Sequence, residues 1–104
     1  MSDVSFRDFV LEQLDGLHGL RCKPMFGGHG LYLNDAFFGI IHHGVLYFRT
    51  DPASRPEFER RGMRSFMPNP GQRLKAYFEV PAEVLEEPDE LAAWARRAVA
   101  ARSS

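Results

Sequence analysis

The spacing of apolar positions changes several times along the chain, and each change marks a different element. From Ser5 to Leu17, the residues Phe6, Phe9, Val10, Leu14 and Leu17 recur at helical intervals and form one buried stripe. Ser5 is placed to cap the first turn, with Asp8 as a weaker form of the capping box, and Gly16 and Gly19 supply stop signals. Three apolar runs follow, GLYL, AFFGII and VLYFRT, separated by Asn34-Asp35 and His43-Gly44. Asn, Asp and Gly accept the positive φ that tight hairpin turns demand, so the runs predict a three-stranded antiparallel meander. A strand covered on one face alternates apolar with polar residues. AFFGII does not, so its second face is expected to be covered as well, by a helix or another subunit.

Asp51-Pro52 signals a second helix, because Asp is a good N-cap and Pro at the first position forfeits no hydrogen bond. Pro56 lacks the amide that would bond back to residue 52. Either the regular helix begins nearer Ser54 or its first turn is irregular, and Gly62 follows its end. MRSFMPNPGQRLKAYFEV reads as a strand near Phe66, a Pro-Asn-Pro-Gly turn, and a strand through Leu74, Tyr77 and Phe78. PAEVLEE suits a single helical turn. The last helix has Asp89 and Glu90 at its start, Arg96, Arg97 and Arg102 near its end, and an apolar stripe of Leu91, Trp94, Ala95, Ala98 and Val99. The order helix, three-strand meander, helix, two strands, helix predicts an α+β fold of two layers. Its antiparallel sheet has about five strands, and the single domain covers residues 1–104.

Composition narrows the function. Thirteen Lys and Arg against fourteen Asp and Glu leave a net charge of −1, which argues against a free-standing duplex binder. Nine phenylalanines point to a core built on aromatic rings. Cys22 is the one cysteine, so neither an intrachain disulfide nor a cysteine-rich zinc site can form. A reducing, cytoplasmic setting is expected. The N-terminal MSDVSFRDFVLEQL interleaves acidic with apolar residues and lacks a signal-peptide core, and no apolar run approaches a membrane span.

The segment KPMFGGHGLYL is the obvious place to look for chemistry. Gly28 and Gly30 match the first pair of a dinucleotide fingerprint, but Leu33 stands at the third position and a strand-like run follows, so a phosphate cradle is not expected. His29, His42 and His43 could join Cys22 or His18 on a metal. Neighbouring strand residues point to opposite faces, however, so His42 and His43 are ill placed to share an ion, and no metal or other cofactor is expected. Cys22, between Arg21 and Lys23, is read as a half-buried cysteine at the start of a strand in preference to an activated thiol. Glu83, Glu86, Glu87, Asp89 and Glu90 read as a solvated helix start, and no catalytic residue is assigned. Arg60, Arg61, Arg64 and Arg73 are the candidate patch for an anionic partner, beside a plainer reading as helix-end cations and an exposed strand face.

One pattern is more specific. Met25-Phe26-Gly27-Gly28 and Gly30-Leu31-Tyr32, then LYFRTDPASRPEFERRG, then YFEVPAEVLEEPDELAAWARRAV resemble the N-terminal domain of the TfoX/Sxy competence regulators, from about Phe6 to Val99. The resemblance implies a two-layer α+β fold of the type shared with secretion chaperones. It also implies kinship with bacterial regulators that help the cyclic-AMP receptor protein act at competence-gene promoters, here without their C-terminal helix-hairpin-helix domain. The expectation is a stand-alone, non-enzymatic domain acting through protein contact, with a homodimer among the candidate assemblies, nucleic acid engaged only indirectly or weakly, and no membrane. Gly27, Gly28 and Gly30 are then expected to shape the chain path into the sheet. Two alternatives stand beside this: nucleic-acid binding through the arginine patch, and a small ligand-binding protein or enzyme using His29 at the glycine-rich bend.

Overall fold

Helix α1 (Asp3–Gln13) carries the first apolar stripe; Phe6, Val10 and, just past its end, Leu14 and Leu17 are buried. The structure, a computed structural model, describes residues 3–25 and 27–101, so Phe26 of the glycine-rich segment and Arg102 near the chain end lie outside the described residues. The helix begins ahead of Ser5, which therefore sits inside the first turn instead of capping it. Six strands and three further helices follow: β1 (Leu20–Met25), β2 (Gly28–Leu33), β3 (Ala36–His42), β4 (Val45–Arg49), α2 (Arg55–Arg60), β5 (Ser65–Asn69), β6 (Gln72–Glu79), α3 (Ala82–Leu85) and α4 (Pro88–Ala100). The strands form one antiparallel sheet in the order β1-β2-β3-β4-β6-β5.

The sheet has one strand more than the apolar runs predict. The addition is β1, whose sequence LRCKPM alternates half-buried and exposed positions and contains Pro24. Proline is tolerated on an outer strand, where ladder bonds are needed on one side only. The opposite outer strand, β5, carries Pro68.

The helices share one core with one face of the sheet. Phe6, Val10, Phe58, Val84, Leu91, Trp94 and Ala95 pack there with Leu31, Phe38, Ile41, Leu46, Phe48 and Phe78. Trp94 meets Phe58 edge-on, with ring centroids 5.0 Å apart, and the guanidinium groups of Arg61 and Arg97 lie over its ring at 5.3 and 5.1 Å. The end of α4 is tied to the sheet by Arg49, which donates from Nε to the Ala98 carbonyl (3.3 Å) and from Nη2 to the Val99 carbonyl (3.0 Å). Those carbonyls belong to the last turn, where a cation is favoured, and that of Ala98 also accepts from the Ala101 amide (3.2 Å).

The unbroken apolar run of β3 has a different cause from the one expected. Leu31 pairs with Gly39 while Tyr32 pairs with Phe37, so Phe38 is an extra residue, a β-bulge. The bulge slips the alternation: Phe38 and Ile41 face the helices, whereas Ile40 joins Phe66 and Tyr77 on the other face. Within the chain, the cover over Ile40 is not a helix but the sheet itself. Phe66 of β5 touches His42 of β3 (centroids 5.1 Å) and Tyr47 of β4 (4.8 Å). A flat sheet would hold β3 and β5 about 14 Å apart, so the β6–β5 end curls over.

Local turn chemistry follows the sequence closely. Asn34 and Asp35 (φ 50° and 70°) and His43 and Gly44 (φ 50° and 75°) make the two hairpin turns of the meander. Helix α2 starts at Arg55, the later of the two expected starts. Ahead of it Asp51 and Ser54 form a reciprocal pair: the Asp51 carboxylate accepts from the Ser54 amide (2.8 Å) and Ser54 Oγ accepts from the Asp51 amide (3.0 Å). The bond from the Ser54 amide, aided by the Ser54 side chain, holds the Asp51 carboxyl below its usual value. Gly62, at φ 73°, ends α2 in a Schellman motif, its amide bonding the Glu59 carbonyl and that of Met63 bonding the Phe58 carbonyl.

Candidate functional site

The glycine-rich segment joins β1 to β2, and its glycines meet different constraints. Gly27 sits at φ 79° with open space around it. At Gly28 a side chain would run into the Ile41 carbonyl and the backbone of His42, so two strands approach there as only a glycine permits. At Gly30 the space for a Cβ is taken by Met25 Sδ at 3.0 Å and Phe37 Cε1 at 3.1 Å. Leu31 is fully buried in the helix-side core, and Tyr32 stacks on Phe37 (5.1 Å) beneath the Lys23 ammonium, on the other face.

His29 is half-buried and lines a hollow of about 280 Å³ under α1, with Arg7, Asp8, Leu11, Cys22 and Pro24. Its Nδ1 is buried and has no hydrogen-bond partner among the described residues. Burial pushes the Cys22 thiol up, against a smaller downward pull from Arg7. Arg21 and Lys23, its neighbours in sequence, are exposed and alternate with it along the strand. Asp8 is engaged by Arg7 at 3.0 Å. His42 and His43 come closer than two strand neighbours do, with rings 4.1 Å apart, because His43 has left the strand for the positive-φ turn. Among the described residues, no three His, Cys, Asp or Glu side chains converge as a metal site would require.

The four arginines of the expected patch separate into two pairs. Arg60 and Arg61 both reach Glu57 (3.6 and 3.3 Å), and Arg61 also reaches Glu83 (3.1 Å) while covering Trp94. Arg64 and Arg73 instead line a groove of about 910 Å³ between the end of α2 and strands β4, β5 and β6. Met63, Met67 and Phe78 supply apolar wall, and Glu59 and Glu79 are the carboxylates on it. An adjoining hollow of about 310 Å³ shares Arg73 and adds Arg55 and Lys75. Arg73 donates to Ser65 Oγ (3.1 Å) and Arg55 to Thr50 Oγ1 (3.3 Å); among the described residues none of these four cations has a carboxylate within ion-pair distance.

The sequence profile of the TfoX N-terminal domain matches residues 12–102. The chain belongs to the TfoX N-terminal domain family. No curated protein matches it significantly. In this TfoX N-terminal domain the groove and its adjoining hollow also draw on Arg55, Glu59 and Met67, which the sequence pattern did not single out. A signal was available for one of them: Met67 falls between Phe66 and Pro68 on an outer strand and is 44% exposed, second only to Val4 among large apolar side chains described. Among the described residues of the domain, no helix is long and apolar enough to cross a membrane.

Proposed function

We propose that this TfoX N-terminal domain is a non-catalytic regulatory module that acts by binding another protein, in the control of competence-gene transcription. The observation that carries the reading is the family match over residues 12–102. A net charge of −1 supports protein contact over stand-alone duplex binding, since non-specific DNA affinity comes largely from neutralised phosphates. So does the fate of the arginines, two of which are engaged by carboxylates of the same chain. The test has two arms. Deleting the gene in its bacterial host should lower transcripts for DNA uptake, and the purified chain should co-elute with the cyclic-AMP receptor protein or another transcription factor. Unchanged transcripts together with no such complex would remove the proposal.

A further inference from the structure

We propose that the groove between α2, β5 and β6 is the docking site for an acidic peptide segment bearing apolar side chains, presented by a protein partner. This rests on the protein-contact reading above and gives it a place on the surface. The first support is charge. Four cations, Arg55, Arg64, Arg73 and Lys75, face the two adjoining hollows against the carboxylates Glu59 and Glu79, in a chain whose total is slightly negative. Nearby Arg60 and Arg61 show what a satisfied arginine looks like in this region, since each holds a carboxylate of its own chain. The groove cations lack such partners among the described residues. Fork-shaped guanidinium groups left in that state suit carboxylates arriving from another chain.

The second support is the wall. Met63 and the exposed Met67 flank the groove, and thioether chains adapt to differing apolar partners. A segment with charge alone would leave this wall wet, and a purely apolar one would strand the cations. Nucleic acid fits less well. The thioether wall of Met63 and Met67 has nothing to offer a phosphate backbone, and a chain with a net charge of −1 lacks the basic excess that draws duplexes in.

The probe is a fluorescein-labelled synthetic peptide of Glu, Asp and Leu, titrated with the full chain by anisotropy and by amide chemical shifts. A Lys/Leu peptide and a duplex DNA oligonucleotide serve as comparisons. Arg64→Glu/Arg73→Glu should weaken the acidic peptide by about tenfold or more. Arg60→Glu/Arg96→Glu, equal in charge change but outside the groove, should alter it by no more than about twofold. Glu59→Gln should tighten binding, and Met67→Asp should weaken it several-fold. If the arginine double variant melts early, Lys75→Glu, on an exposed strand position, carries the same test. Equal loss in both double variants, peptide shifts mapping elsewhere, or duplex DNA displacing the peptide with a steep salt dependence would each overturn the groove assignment. Should the groove variants still co-elute with the transcription-factor partner, the assignment falls while the protein-contact reading stands; a wild-type chain with no partner at all removes both.

Discussion

Replacing Gly28 by Ala puts the geometric account of the glycine-rich segment at most risk. The added Cβ would collide with the Ile41 carbonyl and come within 3.1 Å of His42 Cα, and neither backbone group can swing aside as a side chain does. Strands β2 and β3 must separate locally. Overpacking of this kind costs about 1–3 kcal/mol, and a ladder bond lost in the process adds about 1 kcal/mol. A total near 3 kcal/mol is a large share of the roughly 5–15 kcal/mol that holds a domain folded. Gly27→Ala meets no atoms and bears only the left-handed backbone penalty, about 1–2 kcal/mol. Gly30→Ala presses on Met25 and Phe37, but the methionine can move, so about 1 kcal/mol is expected. Urea unfolding of the three variants should rank Gly28→Ala as the most damaging. In a Met25→Ala background the Gly30 cost should shrink and the Gly28 cost should not, a double-mutant cycle that separates side-chain from backbone crowding. The reasoning fails if Gly28→Ala costs no more than Gly27→Ala, or if Met25→Ala relieves it.

Two further outcomes follow from groups described above. Arg49→Ala removes both bonds to the Ala98 and Val99 carbonyls and should cost about 2 kcal/mol; calorimetry should show a midpoint lower by roughly 10 °C, with Arg49→Lys in between. Burial raises the Tyr47 and Tyr77 hydroxyls above 10.0; Glu79 adds to the rise at Tyr47 and Arg49 opposes it at Tyr77. Because the folded values lie above the unfolded one, their contribution is fully present below about pH 10 and is lost as pH rises through the folded values. Urea midpoints should therefore fall on the alkaline side, and Tyr47→Phe should flatten that fall; an unchanged slope would refute it.

Much of the fold was legible because its signals are local. Asn34-Asp35, His43-Gly44 and Gly62 each announce a positive φ in the residue type itself, and each is found there. The stripe of α4 was legible for the same reason, with Leu91, Trp94, Ala95 and Ala98 all buried. Strand β1 was glimpsed only at Cys22, because Pro24 and its outward charges disguise the rest of an outer strand as a loop. The run AFFGII misled because a bulge and a curled sheet lie beyond the reach of a period count. The arginine cluster was visible as a cluster, but its division was not. That depends on Glu83, which folding brings to Arg61 from twenty-two positions away in sequence. Cys22 was legible as a half-buried cysteine and not an acidified thiol: alternation turns its two flanking cations away, and burial decides the sign.

Trp94 is the chain's single tryptophan, and it is held against α2 by Phe58 and Arg61 as well as by Arg97 of its own helix. Its fluorescence therefore comes from one known spot and gauges whether α2 is seated. A red-shifted emission with strand circular dichroism intact would mean that this short helix had lifted off alone. The molecule thus carries its own optical reporter for the α2 wall of the groove.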